Sequence, residues 1–339
     1  MRAIATLVPV LALASATAAR ADSSVVVTLT PDAQQLADYL HLTIPQLVQN
    51  AEDKINALFQ TANLPSLLTA FASTTAIADR GLGVDYAVKT NQLMVGAVAN
   101  GAIATDASLA SADHVVGGFV FNFAVMAGAN LGRWGAPRWT VFVNGFYAQA
   151  GYHDLEGHLT TGGAHVQYHA LDGTSAGAVR WLGVDVTSGL ELARWTISTQ
   201  RDALSINFKV ANPQGDSEYL TYVAMGKMNV EANSLTVPLE VTTGVRFGGV
   251  LAVYAGGGLD LTSATATIDV DLQGQLLLRS DKTYLGDAHI TSTGQASPGS
   301  VTAHALAGLQ VDVPHANVYV QGIVTPADEG VAFGLRATF

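Results

Sequence analysis

The stretch Val331-Ala332-Phe333-Gly334-Leu335-Arg336-Ala337-Thr338-Phe339 decides the fold of this chain. Its apolar side chains stand at every second position, and Gly334, Arg336 and Thr338 stand between them. Successive side chains of a β-strand point to opposite faces, so a period of two predicts a strand with one apolar and one polar face. The last apolar side chain of this strand is the final residue, Phe339.

This ending resembles the C-terminal assembly signal of Gram-negative outer-membrane β-barrel proteins. In that family the last strand carries a terminal Phe and apolar residues at every second position before it, and here Phe333, Leu335 and Phe339 match the motif. The resemblance implies an antiparallel transmembrane β-barrel in the cell outer membrane. Its partners would be outer-membrane lipid and the barrel assembly machinery. The motif covers only the end of the chain, and the wider pattern covers residues 81–339.

The first residues predict an export signal over residues 1–21. Arg2 supplies a positive start, residues 3–14 form a short apolar run, and Ala19-Arg20-Ala21 offers a cleavage site before Asp22. Ala16-Thr17-Ala18 is a second candidate site. The apolar run is too short to span a bilayer. We therefore expect export through an N-terminal signal peptide.

Composition excludes some classes of partner and favours a membrane strand protein. The formal net charge is −11 and only 13% of residues are charged, so the basic surface that a nucleic acid needs is missing. No cysteine is present, so no disulfide can stabilise the exported chain. The mean hydropathy is +0.29, yet the apolar residues are spread by alternation, which is typical of a lipid-facing barrel.

Residues 22–80 show a helical period instead. Ile44, Leu47, Val48, Ala51 and Ile55 recur at three and four positions and form one apolar stripe. Thr43 before Pro45 predicts the start of this helix, and shorter helices are expected after Pro31 and Pro65. The prediction is a helical segment that either lies in the periplasm or plugs the barrel.

From residue 81 onward the period is two. We predict an all-β barrel of about 10 antiparallel strands, with 12 as the nearest alternative. The two longest connections contain further alternation, so they are either loops with hairpins that extend the barrel above the bilayer or an additional strand pair. If Phe339 is periplasmic, the connections near that end are short, whereas those on the other side (104–115, 199–234 and 264–300) are mostly long, as in outer-membrane barrels. An even strand number also places both chain ends on one side.

Trp134, Trp139 and Trp181 lie beside the predicted short turns, where tryptophan favours a membrane interface. The strands are expected at 83–103, 116–131, 138–152, 158–171, 180–198, 235–247, 250–263, 301–313, 315–325 and 330–339.

The polar faces of these strands carry charged residues that belong inside a barrel, because a charge facing lipid costs about 2–4 kcal/mol for Arg or Lys. Inside, they would form either a selectivity or binding lining, or a network of ion pairs that fills a narrow lumen. The predicted lumen residues are Asp185, Glu191, Glu240, Arg246, Asp260 and Arg336.

Motifs for catalysis and metal binding are weak. His153, His158, His165 and His169 cluster in sequence, but no acidic or thiolate partner is fixed beside them, so we expect solvated loop histidines and no metal. No nucleophile motif and no nucleotide loop is recognisable, so no catalytic residue and no cofactor are predicted.

Three functions follow from this pattern. The first is a pore or transporter that passes small molecules, porin-like, with the N-terminal helices plugging or capping the barrel. The second is a structural or surface-interaction protein of the outer membrane without transport. The third is a barrel hydrolase.

Overall fold

The computed structural model describes residues 20–61, 64–105 and 118–339. The N-terminal part holds strand β1 (Arg20–Leu29) and helices α1 (Ala33–Tyr39), α2 (Ile44–Thr61) and α3 (Leu64–Ala78). Residues 1–19 of the predicted signal peptide lie outside the described residues. The helices were predicted, whereas β1 was not. Among the described residues, no helix combines the length and apolar character that crossing a bilayer requires.

Helix α2 begins with the reciprocal hydrogen bonds of a capping box. The Gln46 backbone N–H donates to Thr43 Oγ1 (3.4 Å), and the Thr43 backbone N–H donates to Gln46 Oε1 (2.8 Å). Pro45 occupies the first turn, where its missing N–H costs nothing. The helix therefore begins where the sequence predicts.

The remaining chain is almost entirely strand. A short 3-10 helix (Leu131–Trp134) separates two of the strands. The strands are β2 (Leu93–Ala104), β3 (Phe119–Asn130), β4 (Trp139–Tyr152), β5 (Leu155–Asp172), β6 (Ser175–Ala176), β7 (Val179–Ala211), β8 (Ser217–Phe247), β9 (Leu251–Leu278), β10 (Tyr284–Ala296), β11 (Val301–Val313), β12 (Ala316–Val324) and β13 (Asp328–Thr338).

Antiparallel pairing closes these strands into a ring. In order, β2, β3, β4, β5, β7, β8, β9, β11, β12 and β13 pair with their neighbours, and β13 pairs back with β2. The prediction of a mostly antiparallel β fold with a ring of about ten strands and a few helices is confirmed. A closed ring has no free strand edge, which removes the main aggregation hazard of a large sheet.

The two longest predicted connections contain strands, which was one of the alternatives left open by their alternation. At 199–234, β7 and β8 continue to Ala211 and Ser217, and at 264–300, β9 and β10 form a second long hairpin. Beyond the ring these strands and β1 make an upper sheet in the order β7, β8, β9, β10, β1. Most of the predicted loop at 104–115 lies outside the described residues.

The upper sheet defines the two ends of the ring. We call the end from which it projects the upper mouth. The lower mouth carries the turns at 131–138, 248–250 and 314–315 and the C-terminal Phe339. Helices α2 and α3 pack on the inner face of the upper sheet and form the largest hydrophobic core of the protein. That core includes Leu47, Ile55, Leu68, Tyr222, Ala266, Ile268, Val270 and Ile290.

The chain then descends through the inside of the ring. Ile77 and Ala78 pack against Ala102 of β2, Leu82 packs in a cluster with Val98, and Val84 packs in a cluster with Met94. These steps follow β2 from the upper to the lower mouth. We call residues 79–88 the lumen segment.

The path of the chain through the ring corrects one prediction. The expectation that both chain ends lie at one mouth is wrong, because the helices lie at the upper mouth and Thr338 pairs with Met94 at the lower one. Residues 81–88 lie inside the ring, and the first ring strand begins at Leu93. Strand parity cannot detect a segment that passes through the lumen.

Candidate functional site

The lumen segment is shaped by two glycines. Gly81 and Gly83 adopt φ angles of 65° and 84°, which L-residues with a Cβ rarely take. They let the chain turn tightly after α3, with Leu82 N–H donating to Asp79 O (3.3 Å) and Val84 N–H donating to Gly81 O (3.2 Å). At Gly83 an added Cβ would come within 2.9 Å of Met126 Cβ. The segment therefore fits the lumen only with glycine here.

Arg80 anchors the lumen segment to the wall of the ring. Its guanidinium contacts Glu191 Oε1 (2.7 Å), Glu240 Oε1 (2.5 Å) and Asp260 Oδ1 (2.9 Å), and its side chain is fully buried. Each carboxylate comes from a different strand. One side chain thus ties the segment to β7, β8 and β9 at once.

Further hydrogen bonds satisfy the same carboxylates. The Gly81 backbone N–H donates to Glu191 (2.9 Å), and the Tyr86 hydroxyl donates to Glu240 (2.9 Å). His304 of β11 lies 3.0 Å from Glu240 and 2.8 Å from Asp260. Buried charges are tolerated only when they are paired and hydrogen-bonded. Glu191 and Glu240 meet both conditions, whereas Asp260 has the two ion-pair contacts but no hydrogen bond at either oxygen.

A second cluster holds the lower half of the lumen segment. Arg336 of β13 donates to the Val84 carbonyl and lies 3.5 Å from Asp85, with its guanidinium 3.8 Å from the centre of the Tyr319 ring. Arg246 of β8 donates to the Ala87 carbonyl at 2.5 Å and pairs with Asp312 at 3.0 Å. The segment is fixed by charged side chains along its length.

All six predicted lumen residues are buried inside the ring. Glu191, Glu240 and Asp260 converge on Arg80, whereas Arg246 and Arg336 hold the lower half of the lumen segment. Asp185 is separate and pairs with His169 Nδ1 at 2.7 Å. Each of the six charged groups forms an ion pair with another side chain of the protein. The residues are exposed to the following extents: Asp185 7%, Glu191 1%, Glu240 1%, Arg246 4%, Asp260 1% and Arg336 1%.

The predicted solvated histidines are wrong at two positions. His165 is buried near Glu191 (3.7 Å), and His169 pairs with Asp185. Both lie on the inward face of β5, which the sequence showed, but the partners come from β7. His153 is exposed in the turn after β4. In the described part of the chain, no three His, Asp or Glu side chains are arranged to hold a metal ion.

Sequence reasoning missed Asp79, Arg80 and Asp85, because they were assigned to the helical segment or to a strand. A signal was present, since these three charges lie among glycines in a chain with only 13% charged residues. His304 and Asp312 alternate with the apolar residues of β11, but this pattern does not identify their partners. The ion pairs join positions such as 80 and 240, whose separation of 160 residues leaves no local pattern.

The apolar alternate faces point outward. Phe333, Leu335 and Phe339 of the proposed assembly signal are 60%, 58% and 65% exposed on the outside of the ring. Trp134 and Trp139 at the lower mouth are also exposed, and the Trp139 ring lies 4.7 Å from the Tyr168 ring. An exposed apolar surface on every ring strand requires a covering medium or partner.

Solved structures of outer-membrane proteins show a distant similarity. The outer membrane protease OmpT from Escherichia coli aligns with a TM-score of 0.39 and 9% identity, over 76% of this chain and 99% of that one. The CymD monoaromatic hydrocarbon channel gives a TM-score of 0.27 and 8% identity over 80% and 97%. Outer membrane phospholipase A from Escherichia coli gives 0.25 and 10% over 78% and 97%.

No curated protein sequence matches the chain. The Lsa36-like family model, in contrast, matches residues 25–339. This range includes residues 25–29 of β1, the helices, the lumen segment and all strands of the ring. The chain therefore belongs to the Lsa36-like family.

Proposed function

We propose that this protein is an outer-membrane β-barrel, sealed by its own lumen segment, that anchors the upper sheet and its helices on the cell surface for interaction with other molecules. The observation that carries this proposal is a reversal of sidedness along single strands. It separates a lipid-facing part of the protein from a water-facing part.

Strand β9 shows the reversal most clearly. In the ring its outward side chains include Leu251, Val253, Leu259 and Leu261, and beyond the ring they are polar. Asp269, Asp271, Gln273 and Gln275 are the exposed residues there. A soluble protein exposes polar side chains along a whole strand, whereas a membrane strand exposes apolar ones to lipid.

The change occurs at the same level on neighbouring strands. On β8 the outward residues change from Asn233 to Leu235, and on β7 from Arg194 to Leu192. Arg194 is paired with Asn233, and Leu192 with Leu235. A boundary that runs in register across strands is expected of a bilayer surface, and Arg194 forms an ion pair with Glu231 (3.1 Å) on the polar side of it.

The inward face reverses at the same boundary. Inside the ring β8 carries Glu240, Thr242 and Arg246, whereas beyond it Tyr222, Ala224 and Ala232 are buried against the apolar core. The upper sheet and helices therefore have the apolar interior and polar surface of a water-soluble domain. The ring has the opposite arrangement, with polar side chains inside and apolar side chains outside.

The height of the apolar outer surface suits a bilayer. From Leu235 to Phe247 β8 extends roughly 40 Å at about 3.3 Å per residue. A tilt of about 45° would reduce this to about 28 Å, close to the apolar band of about 25 Å in outer-membrane barrels. Trp134 and Trp139 lie at its lower edge, where tryptophan favours the interface.

Passive passage of small molecules is less well supported. The lumen segment fills the ring, and opening it would separate Arg80 from three carboxylates. Breaking one partner from a buried ion pair costs about 3–5 kcal/mol, so spontaneous opening would be rare. Hydrolysis has less support still, since the His304–Asp260 pair is out of reach of a substrate.

Single thiols test the orientation, because the chain has no cysteine of its own. Ser205 in the upper sheet and Ser175 at the lower mouth are both exposed, and Ser205→Cys and Ser175→Cys are matched small changes. In intact cells we expect a membrane-impermeant maleimide to label Ser205→Cys only. Ser175→Cys should react after the outer membrane is permeabilised. The reverse order, or equal labelling, would contradict surface display.

Conductance separates display from passage. The wild-type protein in planar bilayers should give no conductance above that of the bilayer alone, because the lumen segment is fixed at both halves. Sustained conductance of the wild-type protein, together with labelling of Ser205→Cys in intact cells, would favour transport over surface display.

A further inference from the structure

A cavity opens at the lower mouth beside the exit of the lumen segment. Its volume is about 310 Å³, and its walls are residues 86–90 and the lower ends of β4, β5, β7 and β8. Lys89, Arg138, Arg180 and Arg246 line it. These are four of only 16 Lys and Arg residues in a chain with a net charge of −11, so the positive charge is concentrated here.

The acidic side of the lining is already occupied. Asp185 is the acidic residue that lines the cavity, and it is bound to His169 at 2.7 Å. Asp172 pairs with Arg138 at 2.6 Å, and Asp312 is shared between Arg246 at 3.0 Å and Lys89 at 3.4 Å. Among the described residues none forms an ion pair with the Arg180 side chain. The cavity therefore keeps an excess of positive charge.

Two of these arginines are direct cross-strand neighbours. Arg180 of β7 is paired with Arg246 of β8 in the register of the sheet. Like charges directly opposite each other on one face destabilise a strand pair, unless a negative group lies between them. Arg246 cannot turn away, because it is buried and held by Ala87 and Asp312.

We infer that this cavity is a binding site for a small anion that carries a phosphate or carboxylate group. The planar guanidinium presents paired N–H donors that match the oxygens of either group, and Arg180 and Arg246 would hold it between them. The volume is near the lower limit of ligand pockets, so the ligand is small. The site does not depend on the proposed surface display.

Phosphate binding to the full-length protein in an uncharged detergent tests the site. Equilibrium dialysis with labelled inorganic phosphate should give saturable binding with a Kd of about 1 mM or tighter. Succinate should compete, because it offers the same oxygen geometry. Added salt should weaken phosphate binding only modestly, because Arg246 is buried and salt screens a buried charge less than an exposed one.

Matched variants locate the site. Arg180→Gln should weaken phosphate binding about tenfold or more, because it removes a charge-assisted hydrogen bond. Arg133→Gln is the control, since Arg133 is exposed near the same mouth but does not line the cavity. Absence of saturable binding by both phosphate and succinate would overturn the proposal. An equal loss in Arg133→Gln would also do so, because it would indicate attraction to general surface charge.

A third arm distinguishes a soluble anion from a lipid headgroup. The protein is placed in vesicles of phosphatidylcholine alone or with phosphatidylglycerol. Undiminished phosphate binding in both supports a soluble ligand. Competition by phosphatidylglycerol that disappears in Arg180→Gln supports the same site with a lipid phosphate as its occupant.

Discussion

Single residues determine how the lumen is closed. Arg80 is the point where three strands and the lumen segment meet, and it does so because a guanidinium can donate in three directions at once. Gly83 determines the path of the segment, since no other residue has both the backbone freedom and the absence of a Cβ that the site requires.

Gly83→Ala should destabilise the protein by about 2–4 kcal/mol, from the strained φ and the clash with Met126. Gly135→Ala isolates the strain, because Gly135 has φ 82° against 84° for Gly83 and an added Cβ there meets nothing within 4 Å. Its expected cost is about 1 kcal/mol. Urea unfolding in detergent, followed by tryptophan fluorescence, measures both. Equal losses would show that the lumen does not confine Gly83.

Arg80→Met should cost about 3–5 kcal/mol, because it leaves three buried carboxylates without their cation. The control is Arg194→Met, whose ion pair with Glu231 is largely exposed and should contribute at most about 1 kcal/mol. The free energy of unfolding is measured as for the glycine variants. A stable Arg80→Met protein would mean that the cluster does not hold the lumen segment.

At the scale of the element, β8 is the most instructive strand. The outward side chains are apolar in its lower half and mostly polar in its upper half, where Tyr219 and Met225 are the exposed exceptions, so the alternation changes phase near residue 234. Because of this phase change, the alternation within 199–234 could not be assigned to the same strand as the lipid-facing pattern, and a loop, a hairpin or an additional strand pair remained open. The periodicity is interrupted where the strand leaves the proposed bilayer, although its hydrogen bonding continues.

Leu239→Arg and Met225→Arg distinguish the two environments of β8. Both residues point outward, with Leu239 55% and Met225 63% exposed. In lipid, Leu239→Arg should cost about 2–4 kcal/mol, whereas Met225→Arg should stay within about 0.5 kcal/mol. Unfolding in phospholipid vesicles gives the comparison. If both variants were neutral, the ring would not be surrounded by lipid.

At the scale of the whole molecule, the upper sheet with its helices and the ring are two structural units joined by continuous strands. The upper unit is stabilised by an ordinary apolar core, whereas the ring is stabilised by strand closure, inner ion pairs and, on our proposal, lipid. Because the two units are stabilised by different interactions, a mutation in the core of the upper unit should destabilise that unit without destabilising the ring.

Ile55→Ala should remove about 2–5 kcal/mol from the upper unit, because Ile55 is 1% exposed in its core. Limited proteolysis should then cut residues 20–61 faster, while the ring strands stay protected. Lys54→Ala, at an exposed position of the same helix, should leave the cleavage rate unchanged. Simultaneous loss of protection in both parts would show that the protein unfolds as one unit.

Features that depend on neighbouring residues in the chain could be predicted from the sequence. Alternation predicted the antiparallel ring of about ten strands and named the inward residues such as Glu240 and Arg336, because neighbouring side chains on a strand always take opposite faces. The start of α2 was also readable, since Thr43 and Gln46 are three residues apart. The path of the lumen segment, the exact length of β7 to β10 and the partners of each charge became known only from the folded protein. Those depend on contacts such as Arg80 with Glu191, which are 111 residues apart and leave no periodic trace in the chain.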